Sequence, residues 1–175
     1  MTAVSLAALS GLACGSSGES SGGGGAQNCG ALAGYHATAT SSSFATDVYP
    51  ILSNTMASQL GCGQALICHG EPAMAIDMSG ATLKFTDPAA TVYAALMKNS
   101  INDPTMKRVT PGDLTNSFLA YKVSDRATIA CLADKCVPTN SGSQAKCGDP
   151  MPSIGTIAAS DRTKILDWIA LGAKP

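Results

Sequence analysis

The chain has 175 residues, a formal net charge of −1 and only 13% charged residues. That length allows one domain with a sizeable core and an additional tail. The near-neutral charge excludes the broad basic face that binds nucleic acid, so no nucleic-acid partner is expected. Seven cysteines in so short a chain indicate an oxidising compartment, and their odd number leaves one without a disulfide partner within the chain.

Residues 1–13 are small and apolar and lead directly into Cys14. This order is typical of a bacterial lipoprotein signal, in which the cysteine becomes the lipidated first residue, although a basic start is missing. We therefore expect Cys14 to anchor the protein to a membrane of the cell envelope, as a periplasmic or outer-membrane lipoprotein. An ordinary secretory signal with an incidental cysteine is the alternative, and it predicts a secreted protein.

Residues 14–43 are rich in Gly, Ser, Ala and Thr and include the glycine run 22–25. Such a composition buries too little apolar surface to offset the entropy of the chain, so we predict a disordered Gly/Ser-rich tether. His36 lies in this segment and is interpreted as a solvated residue. The folded domain is expected to cover residues 44–175.

From Phe44 onwards the apolar spacing predicts helices joined by long loops. The first predicted helix carries Phe44, Val48 and Leu52 on one side, and Pro50 should kink or divide it. Three further helices are predicted: one opening at Asp87-Pro88 and running through Leu96, one from Asp113 to Val123, and one from a Ser160 cap to a Gly172 stop. No two-residue alternation typical of strands is present, so the sequence predicts an all-α domain.

The last predicted helix carries Ile165, Trp168 and Ile169 at three- and four-residue spacing on one face. Trp168 is the only tryptophan of the chain. We expect it to be buried where the last helix crosses the first one, near Val48 and Ile51. The two aspartates of this helix, Asp161 and Asp167, are interpreted as capping and solvated residues rather than as a pair of catalytic acids.

Two cysteines and a histidine form the motif with the most chemical content. Cys68-His69-Gly70 follows Cys62, with five residues between the two cysteines. A cysteine pair that ends in Cys-His is the attachment signature of c-type haem, in which the thiols bind the haem vinyl groups and the histidine ligates iron. That signature has two intervening residues. On a regular helix Cys62 and Cys68 differ by about 240° of rotation, so attachment needs a looped-out insertion or Cys68 alone.

Further segments, in the same order, resemble a small c-type cytochrome domain of bacterial secreted proteins and lipoproteins. Residues 47–52 resemble the helix that leads into the haem-attachment segment, and residues 109–119 resemble a recurring middle segment. The Cys-Gly-Asp-Pro-Met-Pro run at 147–152 resembles the loop whose methionine completes the coordination of iron. Residues 160–173 resemble the C-terminal helix of the family, and the similarity covers residues 44–174.

This resemblance implies a cytochrome c-like fold and a role in electron transfer, with haem c as the cofactor and a redox protein as the partner. It implies that His69 and Met151 ligate the iron from opposite sides and that Cys68, with Cys62, attaches the haem. A His/Met ligand pair raises the reduction potential, as electron carriers need. The pocket between the ligands is then expected to have apolar walls, such as Leu83, Val109 and Leu119.

A haem-free domain is the alternative, in which the same scaffold is stapled by disulfides and serves as a binding or structural module of the envelope. In that case Cys62 and Cys68 close a small loop, and either Cys131 or Cys136 pairs with Cys147. If Cys14 is lipidated, six thiols remain, and the sequence leaves their pairing open. The candidate disulfide cysteines are Cys29, Cys62, Cys68, Cys131, Cys136 and Cys147.

An enzymatic function is not expected. The chain has two histidines, and its thiols are not spaced as two Cys-x-x-Cys zinc pairs. Neither a nucleophile with an adjacent base nor a phosphate-binding loop is recognisable in the sequence.

Overall fold

A computed structural model describes residues 30–54, 83–137, 147–148, 150–152 and 157–175. These residues form helices, turns and isolated bridges, with no β-strand among them. The prediction of helices without strands is confirmed for the described residues. The signal-like segment 1–13, Cys14, Cys29 and the whole Cys62–His69 motif lie outside the described residues.

The first helical region changes type next to Pro50. A π-helical turn, Phe44–Val48, leads into α1, Tyr49–Leu52. Pro50 lies in the first turn of α1 and has no amide hydrogen, so it donates no bond to the preceding turn. The predicted division of this helix is confirmed.

The other helices are shorter than predicted or begin at other residues. The loop after Asp113 replaces the first part of one predicted helix, because the Asp113 carboxylate accepts hydrogen bonds from the Thr115 hydroxyl (2.7 Å) and the Asn116 amide (3.1 Å). Ser160 does not cap the last helix, whose N-cap is Ala158 without a side-chain bond. The observed elements are α2 Ala89–Leu96, α3 Phe118–Lys122, α4 Arg126–Ile129 followed by the 3-10 turn Ala130–Leu132, and α5 Ala159–Ala170.

The core forms where α5 crosses the first helical region. Trp168 is 0% exposed, and its ring centroid lies 5.2 Å from that of Phe44. Its indole Nε1 donates a hydrogen bond to the Lys174 carbonyl (2.7 Å), which ties the end of the chain to the same cluster. The Tyr93 ring, on α2, closes the cluster at 6.4 Å from Trp168. The predicted docking of the last helix on the first, with Trp168 buried, is confirmed.

Residues 30–43 belong to the domain, which corrects the second half of the tether predicted for 14–43; residues 14–29 lie outside the described residues. Leu32 is 5% exposed and joins the core. The Ser43 hydroxyl donates to the Pro175 carbonyl (2.8 Å), and the Phe44 amide donates to the Lys174 carbonyl (2.9 Å). The composition argument failed here because hydrogen bonds to distant residues, together with the buried Leu32, hold this segment. None of the helices in the described ranges is long and apolar enough to cross a membrane.

Candidate functional site

Of the residues predicted to ligate the iron or attach the haem, the structure describes Met151. Cys62, Cys68 and His69 lie outside the described residues. Met151 is half-buried and precedes the buried Pro152 through a cis peptide bond. Its amide donates a hydrogen bond to the carbonyl of Lys122, the last residue of α3. The backbone of Met151 is therefore fixed to a helix.

Met151 lies near the end of the loop 147–152, and a disulfide holds the start of this loop. Cys136 and Cys147 are bonded, with a Cα–Cα distance of 5.2 Å and a sequence separation of 11. Both residues are buried, at 5% and 4% exposure. Of the two pairings predicted for Cys147, the structure contains the one with Cys136. Cys131 is also disulfide-bonded, and its partner lies outside the described residues.

Met151 lines a cleft of about 280 Å³. Its described lining comes from the junction between α3 and α4, from the segment around Met151, from Ile157, and from Arg162 in the first half of α5. The described lining residues are Val123, Ser124, Asp125, Arg126, Pro150, Met151, Pro152, Ile157 and Arg162. The cleft thus combines an apolar surface with a few charged groups at its rim, as small-molecule sites do.

Among the described lining residues, positive charges outnumber negative ones. Arg126 and Arg162 are exposed, and Asp125 supplies the carboxylate of this described set. The Thr128 amide donates to Asp125 at 2.7 Å, and this bond, with help from the Arg162 charge, holds the pKa of Asp125 below its ordinary value. Asp125 is therefore ionised at neutral pH, and its carboxylate caps α4. The charge of the two arginines then favours an anionic group in the cleft.

The residues predicted to form the apolar walls of a haem pocket are not among the described residues that line this cleft. Val109 is 0% exposed and Leu119 9%, and both belong to the core. The Val109 amide donates to the Leu96 carbonyl (2.9 Å), which fixes its segment against α2. Neither these residues nor the half-buried Leu83 belongs to the described lining of the cleft beside Met151. Because His69 lies outside the described residues, their place in the wall of a haem pocket stays a prediction.

Asp167 is a buried polar residue, which corrects its interpretation as a capping or solvated residue of the last helix. It is 2% exposed and accepts four hydrogen bonds: from the Tyr35 hydroxyl (2.6 Å), the Thr38 amide (3.0 Å) and hydroxyl (2.7 Å), and the Ala39 amide (2.9 Å). Burial acts to raise its pKa, but these bonds outweigh burial and the net pKa is lowered. One feature of the sequence could have indicated the burial of Asp167: it is the neighbour of Trp168, and both lie within the run 165–169, which is buried throughout.

Comparison with known proteins identifies no relative: no family model, no curated protein and no solved structure matches the chain significantly. Within the described ranges, no group of three or more His, Cys, Asp or Glu side chains is placed to hold a metal ion. His36, the histidine of that part, is exposed.

Proposed function

We propose that the protein is an electron-transfer domain of the cell envelope that binds haem c between His69 and Met151. The observation that supports this most is the presentation of Met151 on the wall of a cleft by a loop that is tied to the fold at both ends. A thioether is a weak iron ligand, so a stable bond needs a loop that holds the methionine in place. The Cys68-His69-Gly70 run supplies the complementary half of the proposal.

The chemistry of the cleft fits one side of this cofactor. Met151 offers a thioether, and Val123 and Ile157 offer an apolar surface that excludes water. Arg126 and Arg162 place positive charge where the carboxylates of a haem could be neutralised. When bound, haem would supply one-electron redox chemistry, while these residues orient it and control its exposure.

The proposal is tested by expressing the protein together with a cytochrome c maturation system. We expect a pyridine haemochrome spectrum to remain after denaturation and acetone extraction, because the haem is held covalently. Met151→Leu should retain that haem but lose the absorption of a methionine-ligated ferric iron. Met97→Leu, at the end of α2 and outside the cleft lining, is the matched control and should keep it. Extracted protein without haem would overturn the proposal.

The location and partners follow from the same proposal. Cys14 would carry the lipid that anchors the domain at the periplasmic or outer-membrane face, and without lipidation the protein would be secreted. The membrane and a redox protein are then its partners. Metabolic labelling with a fatty acid, compared between the natural chain and Cys14→Ser, tests the anchor: label that persists in Cys14→Ser contradicts it.

A second candidate function rests on Cys131. Its disulfide partner lies among the cysteines outside the described residues: Cys14, Cys29, Cys62 and Cys68. If that partner is Cys62 or Cys68, one sulfur of the attachment motif is no longer available to haem. We propose for that case a haem-free, disulfide-stapled module that binds an envelope component, with the Met151 cleft as its binding surface.

A further inference from the structure

We propose that Lys122 is a positioning residue for the loop that carries Met151. This inference rests on the proposed function, since it assigns the residue that holds the iron-ligating methionine in place. Lys122 is only 8% exposed, and lysines so deeply buried are almost always paired. Its ammonium donates a hydrogen bond to the Cys147 carbonyl at 3.2 Å, and its own carbonyl accepts the bond from the Met151 amide.

One residue of α3 therefore contacts both ends of the loop. The ammonium holds Cys147, where the disulfide to Cys136 arrives, and the carbonyl holds Met151 four residues later. The charge is also stabilised by the ring of Phe118, whose centroid lies 5.9 Å from Nζ. Because a charge-assisted bond is stronger than a neutral one, the loop is held more firmly than its backbone bond alone allows.

Gly148 lies against this ammonium. A Cβ atom at position 148 would lie 3.0 Å from Nζ of Lys122, and the residue has a φ of +71°. Gly112 has a similar φ of +78°, but nothing lies within 4 Å of a Cβ at that position. Gly112 is therefore a control position with a similar φ and without a neighbouring ammonium.

The first test follows hydrogen exchange of the Met151 amide in the purified protein, with or without haem. Lys122→Met keeps the apolar stem and the carbonyl but removes the charge. A hydrogen bond from a charged donor contributes about 1.5 kcal/mol or more, so exchange should become at least about tenfold faster. Lys122→Arg should restore slow exchange, and Lys135→Met, at an exposed lysine, should leave it unchanged. Unchanged exchange in Lys122→Met, or equal exchange in Lys122→Met and Lys122→Arg, would overturn the inference.

A second variant tests the same contact if Lys122→Met does not fold. Gly148→Ala should speed exchange at Met151 more than Gly112→Ala does, because only the former places a Cβ atom in close contact with the ammonium. Equal effects would attribute the change to backbone strain and contradict the inference.

The haem-loaded protein supplies a readout that a purely structural lysine would not move. Lys122→Met should lose the absorption of methionine-ligated ferric iron while retaining covalent haem, and Lys122→Arg should retain both. Faster exchange with an unaltered methionine–iron absorption would overturn the positioning role. If no haem is bound at all, the electron-transfer proposal fails, but the exchange measurement still decides whether Lys122 holds the loop.

Discussion

Removal of the Asp167 carboxylate tests whether hydrogen bonds hold the segment before Phe44 onto α5. Asp167→Ala leaves four donors without their acceptor, from Tyr35, Thr38 and Ala39. A hydrogen bond to a charged group contributes about 1.5–3 kcal/mol. Thr38 and Ala39 are exposed, so their donors regain water, and we expect a net loss of roughly 3 kcal/mol rather than the full sum. For a chain of this size that corresponds to a Tm lower by about 6–12 °C.

Urea and thermal denaturation followed by circular dichroism measure this loss. Asp161→Ala is the matched control on the same helix. Asp161 forms a 3.9 Å ion pair with the exposed Lys164, so this substitution should cost less than about 1 kcal/mol. A double-mutant cycle with Tyr35→Phe should give a coupling of about 1–2 kcal/mol across the 2.6 Å bond. If Asp167→Ala denatures within about 0.5 kcal/mol of the natural chain, the segment is not held as the structure indicates.

Three further predictions concern stability. The folded pKa of Asp167 is lowered, so its contribution to the free energy of unfolding is complete above the ordinary carboxyl pKa of about 4 and is lost as the pH falls through the folded pKa. Burial and the Asp167 carboxylate raise the pKa of Tyr35, so the contribution of the Tyr35 hydroxyl to stability is lost as the pH rises above about 10. Urea midpoints from pH 2 to 11 should show both losses, and a flat profile below pH 4 would contradict the first. Trp168→Ala should cost roughly 3–5 kcal/mol in urea denaturation because the side chain is fully buried, and a near-natural midpoint would refute that packing. Replacement of both Cys136 and Cys147 by Ser should cost about 3 kcal/mol from loop closure, with an unchanged midpoint as the contrary result.

Local sequence rules predicted the parts of the fold that depend on apolar spacing and backbone chemistry. Trp168 lies on the apolar face that its three- and four-residue spacing indicated, and it is buried. Pro50 divides the first helical region because a missing amide hydrogen acts within one turn. The pairing of Cys147 was narrowed to two partners, since both flank the same polar insertion, and the structure contains one of them.

The parts that the sequence could not predict depend on polar contacts between distant residues. Asp167 bonds to Thr38, 129 positions away, so neither residue alone indicates that segment 30–43 is ordered. Asp113 uses its carboxylate in a loop where helical spacing predicted a helix. Lys122 resembles an exposed helical lysine in sequence, and its burial follows only from the approach of the 147–152 loop to α3.

The most direct test of the electron-transfer proposal locates the sulfur bonds of Cys62 and Cys68 in protein matured with a haem-attachment system. Non-reducing proteolysis and mass spectrometry should show a peptide containing Cys68 and His69 that carries the mass of haem, with Cys131 bonded to Cys29. A peptide in which Cys68 is disulfide-bonded, with no haem mass on any peptide, would contradict electron transfer and favour the disulfide-stapled module.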